Sequence, residues 1–142
     1  MMASTIQLEV VTAEQKLFSG LVEKVIAPGA MGDLGIYPKH TQLISTLRAG
    51  ELKYTTAEGT TSLFVSGGVL EVQPTLITVL ADTGMRAEDL DAQAAQDAMK
   101  RAHDALQGKD PADLDYEAIQ AELEAAKAQM EMLHHIGKVR GH

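Results

Sequence analysis

The period of apolar residues changes from two to about 3.6 near Met85-Arg86, so two kinds of structure must follow one another in this chain. Before the change the pattern is that of short strands. Ile6, Leu8 and Val10 alternate with Gln7 and Glu9, the spacing of a strand with one buried face. Leu21-Val22-Glu23-Lys24-Val25-Ile26 reads as a strand closed by Pro28-Gly29. Leu52–Thr56 and Thr61–Val65 flank Ala57-Glu58-Gly59-Thr60, a hairpin signal. Val69–Val72 and Leu76–Leu80 flank a second turn, Gln73-Pro74-Thr75. Many short strands with frequent turns predict a sandwich or barrel. Gly67-Gly68 marks a bulge or a close backbone approach. The stretch from Pro28 to Gly35 is too rich in glycine for a regular element and reads as a loop.

After Arg86 the chain reads as helix. Ala94, Ala95, Ala98, Ala102 and Ala105 recur at helical spacing, behind an acidic start of Glu88, Asp89 and Asp91. Gln107-Gly108-Lys109-Asp110-Pro111 stops this helix, and Asp113 or Asp115 caps the next. Ile119, Leu123, Ala126, Met130 and Leu133 then form a heptad seam. Met99, Met130 and Met132 read as core rather than as a binding face, although Met132 falls off that seam. The alanine seam should face the larger one in an antiparallel hairpin. Small residues bury little area, so the hairpin should be marginal alone and should need a partner surface. The expected division is a β-domain over 1–86 and a helical arm over 87–142.

Charge supports that division. Residues 1–86 carry 6 basic and 8 acidic side chains, whereas residues 87–142 carry 6 and 12. The acidic balance argues against nucleic acid, which needs clustered cations, and against a basic helix lying on a membrane. Cysteine is absent, which removes disulfides, thiolate nucleophiles and cysteine-ligated zinc. No apolar run approaches the roughly 18–20 residues that cross a bilayer. The start of the chain lacks the basic and apolar regions of a signal peptide, so the protein is expected to stay where it is made.

The sequence carries none of the familiar catalytic patterns. Glycines at 29, 32 and 35 lack the Lys-Ser/Thr and helix start of a phosphate loop. Ser66-Gly67-Gly68 is not a nucleophile elbow. His134 and His135 point about 100° apart on a helix and cannot share a metal; with Glu131 either makes an ordinary surface contact. Asp110, Asp113, Asp115 and Glu117 do not match a calcium loop and serve capping and solvation better. No cofactor is expected. The chain reads as a small adaptor that docks onto larger partners.

Four segments in order carry a resemblance. They are Val10-Val11-Thr12-Ala13-Glu14-Gln15-Lys16-Leu17-Phe18-Ser19-Gly20, Gly32-Asp33-Leu34-Gly35-Ile36-Tyr37-Pro38-Lys39-His40, Val65-Ser66-Gly67-Gly68-Val69-Leu70-Glu71-Val72 and Thr78-Val79-Leu80-Ala81-Asp82-Thr83. Together they resemble the epsilon subunit of bacterial F-type ATP synthase over nearly the whole chain. The resemblance implies a ten-stranded β-sandwich of two five-stranded sheets, then a two-helix hairpin. It implies a non-catalytic place in the central rotor stalk, with the gamma subunit, the c-ring and, through the arm, the catalytic head as partners. Rotation of the c-ring would be coupled to ATP synthesis in the head. The location would be peripheral, on the cytoplasmic face of the bacterial inner membrane.

By position, the resemblance implies that Met31, Gly32 and Asp33 face the c-ring. Tyr37, Pro38, His40, Gly67 and Gly68 would lie near gamma. Lys127, Lys138 and Arg140 would be the basic contacts of an arm that inhibits ATP hydrolysis. Some members of this family bind ATP through an Ile/Leu-Asp-x-x-Arg-Ala pattern; here the stretch is Leu90-Asp91-Ala92-Gln93-Ala94-Ala95, with Ala94 where arginine belongs. Lys100 and Arg101 stand nearby, but the bidentate phosphate donor is missing, so weak or no ATP binding is expected. The alternative reading, a nucleotide-sensing module whose hairpin closes on ATP, needs arginines that this sequence lacks.

Overall fold

A computed structural model of the chain describes residues 4–137. These fall into two compact units that divide after Ala87. The first contains ten strands: β1 (Ile6–Val11), β2 (Lys16–Val22), β3 (Lys24–Gly29), β4 (Gly32–Ile36), β5 (Leu43–Leu47), β6 (Gly50–Thr56), β7 (Gly59–Val65), β8 (Gly68–Val72), β9 (Leu76–Ala81) and β10 (Gly84–Arg86). They form one hydrogen-bonded path, β10-β7-β6-β3-β5-β8-β9-β1-β2, with β4 paired to β3. The path is weakest between β3 and β5, which pair only at Gly29 and Leu47. It therefore divides there into two layers of five strands, a β-sandwich close to a barrel. Neighbours are antiparallel except β1 and β9, which run parallel from Gln7↔Leu76 to Val11↔Leu80.

Alternation builds the core. Ile6, Leu8 and Val10 point inward and are buried, while Gln7, Glu9 and Val11 are half-buried on the outer face. Leu70, Val72, Ile77 and Val79 line the same layer, and Val25, Ala27, Leu52, Leu63 and Val65 come from the other. Each fully buried aliphatic contributes about 1.5–3 kcal/mol relative to exposure, which offsets the cost of ordering many short strands. Phe18 of β2 meets Tyr54 of β6 with ring centroids 4.1 Å apart, joining the layers on the side away from the β3–β5 seam.

Two sequence expectations fail around β3. The stretch from Leu21 to Ile26 is not one strand: β2 ends at Val22, Glu23 bends, and β3 begins at Lys24. Pro28-Gly29 lies within the end of β3 rather than after it, and the segment to Gly35 is not an irregular loop. Pro28 pairs with Asp33 and Gly29 with Gly32 in a β3–β4 hairpin turned by Ala30-Met31. The glycines that hid this strand are what the tight turn requires, since Gly32 has φ +134°. Pro28 is tolerated one residue before the strand end, where its missing N–H removes at most one rung.

A 3₁₀ turn at Ala87–Asp89 leads into the second unit, which holds α1 (Ala92–Leu106) and α2 (Tyr116–His135). Asp91 caps α1, its carboxylate accepting from the backbone N–H of Gln93 (2.9 Å) and Ala94 (3.1 Å). Gly108, at φ +72°, ends the helix as its position predicted. The two helices pack on one another as a hairpin. Ala95 and Ala102 are buried and Ala98 is half-buried, but Ala94 and Ala105 are exposed; half-buried Met99 and Leu106 complete the stripe.

On α2, Leu123, Ala126 and Leu133 are buried along the heptad seam. Met132 is buried as well, at 1% exposure, although it falls off the seam. It belongs with Ala128 to a second apolar stripe, on the far side of the helix from the first. Neither aspartate caps α2 as expected. Asp115 stands at the N-cap without a side-chain cap bond, because its carboxylate pairs with Lys109 at 3.2 Å. The Asp113 carboxylate accepts from the backbone N–H of Asp110 instead.

Candidate docking surfaces

Among the described residues no polar or charged side chain is buried, and no three or more His, Asp or Glu form a metal-type cluster. What the sandwich does expose is apolar surface at defined places. The first is the β3–β4 hairpin tip, where Met31 is fully exposed. Its base is tied down. The backbone N–H of Ala30 donates to the Thr46 carbonyl (3.0 Å), and that of Arg48 to the Pro28 carbonyl (2.9 Å). The Arg48 guanidinium donates through Nη1 to the Gly29 carbonyl (2.6 Å) and through Nη2 to Asp33 Oδ1 (2.7 Å).

The second is the outer face of the β5-β8-β9-β1-β2 layer. Register sets Thr46, Val69, Leu80 and Val11 in one cross-strand row, with Ile44 in the next row. Ile44, Val69 and Leu80 are 72%, 39% and 54% exposed, a grouping of large aliphatics that a water-facing layer does not need. None of the three had been singled out from sequence. The readable signal is the unbroken apolar run Val79-Leu80-Ala81, which replaces clean alternation with a strand that is apolar on both faces. Beyond this row the face turns polar. The Glu9 carboxylate accepts from the Ser19 hydroxyl and from Gln7 Nε2 (2.6 Å), with Lys16 at 3.4 Å. The Ser19 bond, then the Gln7 bond, hold its pKa below the ordinary 4.5.

The expected site residues do not all come together. Gly67 and Gly68 lie at the Leu47 end of β5, the same end as the Met31 tip, since Gly68 and Gly29 both pair with Leu47. Tyr37, Pro38 and His40 lie beyond the other end, near Leu43, about 13 Å of strand away. There Pro38 and Lys39 border a cleft with the start of β1, Leu21 and Pro74. Tyr37 is exposed, and the turn is held by the His40 N–H donating to the Tyr37 carbonyl (3.1 Å), with Lys39 in the left-handed region at φ +66°. Both Gly67 (φ +133°) and Gly68 (φ +139°) need glycine. A side chain on Gly68 would fall onto the Leu80 carbonyl, so the expected close backbone approach is present.

Within the helical unit, Lys127 is exposed and lies 3.8 Å from Glu124. It borders a groove between the helices with Lys100, His103 and Met99. Ala94, at the position where the ATP pattern needs arginine, is exposed. Lys138 and Arg140 lie outside the described residues. No described helix is long and apolar enough to cross a membrane.

Comparison with known proteins resolves the family. Residues 5–87 match the family described as ATP synthase, Delta/Epsilon chain, beta-sandwich domain. The chain is 48% identical over 141 residues to the ATP synthase epsilon chain of Nitrosococcus oceani, covering 99% of this chain and 100% of that one. It is 44% identical over 143 residues to the epsilon chain of Thioalkalivibrio sulfidiphilus, with 99% of each covered. In fold it is similar to a chain in the Euglena gracilis mitochondrial ATP synthase (OSCP/F1/c-ring), at TM-score 0.80 and 19% identity over 92% of this chain and 82% of that one. A chain of the Tetrahymena thermophila mitochondrial ATP synthase central stalk and c-ring gives TM-score 0.59 at 13% identity, over 96% and 98%. With the family match over the sandwich and close relatives spanning its full length, the chain belongs to the ATP synthase epsilon chain family.

Proposed function

We infer that this chain is a central-stalk subunit of a proton-translocating ATP synthase, one that couples rotation of the c-ring to ATP synthesis in the catalytic head without catalysing a step itself. The carrying observation is the exposed aliphatic patch of Val69 and Leu80 in one row and Ile44 in the next, on the outer face of the β5-β8-β9-β1-β2 layer. A rotor subunit must hold its neighbour against torque, and a broad apolar contact does that without chemistry. The row, Gly67-Gly68 beside it, and the Tyr37-Pro38-His40 turn form the gamma-facing surface. The tip at Met31, Gly32 and Asp33 faces the c-ring. The helical unit, 87–142, is the regulatory arm toward the catalytic head, with Lys127, Lys138 and Arg140 as its basic contacts. The site of action is the cytoplasmic face of a bacterial inner membrane, reached through the complex.

The test is reconstitution. Adding the full chain to ATP synthase membranes stripped of this subunit should restore binding and ATP-driven proton pumping. Val69→Asp with Leu80→Asp should bind at least tenfold more weakly, because two charges would be desolvated at the contact. Undiminished binding of that double variant would remove the aliphatic row from the gamma interface.

A further inference from the structure

We propose that Arg48 is the positioning residue of the Met31 tip, and that Asp33 acts through Arg48 rather than by touching the partner. This rests on the reading of the tip as the c-ring-facing surface. Three observations carry it.

First, the Asp33 carboxylate is already engaged. It accepts from Arg48 at 2.7 Å, so to a partner it presents an ion pair and not a free negative charge. Second, the same guanidinium holds the Gly29 carbonyl at 2.6 Å. One side chain thus ties the last residue of β3 to the second residue of β4, across the two-residue turn that carries Met31. A planar fork can satisfy two acceptors at once; a lysine ammonium is a single point on a thinner stem. Third, β4 needs such a brace. It pairs only with β3 and lies off the main strand path; Leu34 and Ile36 anchor its later half to the core, but Gly32 and Asp33 at its start are exposed and have no strand on their other side. Backbone bonds secure the root of the hairpin at Pro28 and Ala30, but beyond the root the Arg48 side chain is what reaches Asp33.

Both partners are part-exposed, at 48% and 63%. Salt therefore weakens the brace, and docking inherits that sensitivity. The pair also neutralises the Asp33 charge beside the exposed Met31.

The experiment measures binding of the full chain to ATP synthase stripped of this subunit, across a salt series. The variants are Arg48→Gln, Asp33→Asn, the double variant, Arg48→Lys and Met31→Asp. Arg48→Gln and Asp33→Asn should each weaken binding by about two- to fivefold, and the double variant by no more than either. All three should lose the salt dependence attributable to the tip, with the thermal midpoint of the free chain nearly unchanged. Arg48→Lys should recover part of the affinity. If Asp33 instead contacted the partner, Arg48→Gln would strengthen binding or leave it alone while Asp33→Asn weakened it, and the inference would be overturned. Multiplying effects in the double variant would overturn it too. Met31→Asp separates the two levels. If it weakens binding and Arg48→Gln does not, only the brace is wrong; if it changes nothing, the tip does not dock and both fall.

Discussion

Gly68 shows how a single position can be fixed twice, by conformation and by space. Its φ of +139° is disfavoured for any side chain, and a Cβ there would meet the Leu80 carbonyl. Gly59 has a similar φ of +129° but open space around it. Gly68→Ala should therefore cost more than Gly59→Ala, by about 1–3 kcal/mol beyond the shared conformational strain, in urea unfolding followed by circular dichroism. Equal costs would mean that β8 and β9 can part locally at no expense. Glu9 is fixed by hydrogen bonds instead. Because its folded pKa lies below 4.5, its ionised form stabilises the sandwich above that value, and the contribution is lost as pH falls through the lowered folded value. Glu9→Gln should thus be less stable than the parent at pH 7, with the gap narrowing below pH 4.5. A gap that stays constant in acid would assign the loss to packing.

At the scale of elements, legibility followed the regularity of the pattern. β1, the β6–β7 hairpin and the β8–β9 hairpin were readable because their alternation is clean and their turns carry Gly or Pro. β4 was not, since Gly32-Asp33-Leu34-Gly35-Ile36 has too few side chains to show a period. Nor was the break between β2 and β3, because Val22 and Lys24 leave no turn residue to mark Glu23. The candidate site was less legible than the fold. Arg48 bridges to Asp33 across 15 positions, and no local spacing encodes such a contact. The caps divide in the same way. Asp91 was read correctly as a helix-start residue, whereas Asp115 was diverted by Lys109, which no capping rule includes. Asp91→Ala should destabilise α1 by about 1 kcal/mol, and Asp115→Ala should cost α2 only a few tenths, each read from amide exchange in the respective helix. A larger effect at Asp115 would show that its N-cap position outweighs the ion pair.

At the scale of the whole molecule, the division of labour between sandwich and arm follows from where the core lies. Every residue of the sandwich core falls between Ile6 and Ala81, so a chain ending at Arg86 keeps that core intact. The helical unit is different: α1 contributes only alanines to its buried set, which supply little area and so little stability of their own. The truncated chain should bind the stripped complex within about threefold of the full chain, as expected if the anchoring surfaces are all in the sandwich. If the arm acts as a brake, ATP hydrolysis should be slower with the full chain than with the truncated one at matched occupancy. Changing Lys127, Lys138 and Arg140 together to alanine should then move the full chain toward the truncated rate. Slower hydrolysis that survives those three substitutions would keep the brake but deny it a basic contact. Equal hydrolysis with the full and truncated chains would leave coupling through the sandwich as the function of the subunit, and the arm without a part in restraining the head.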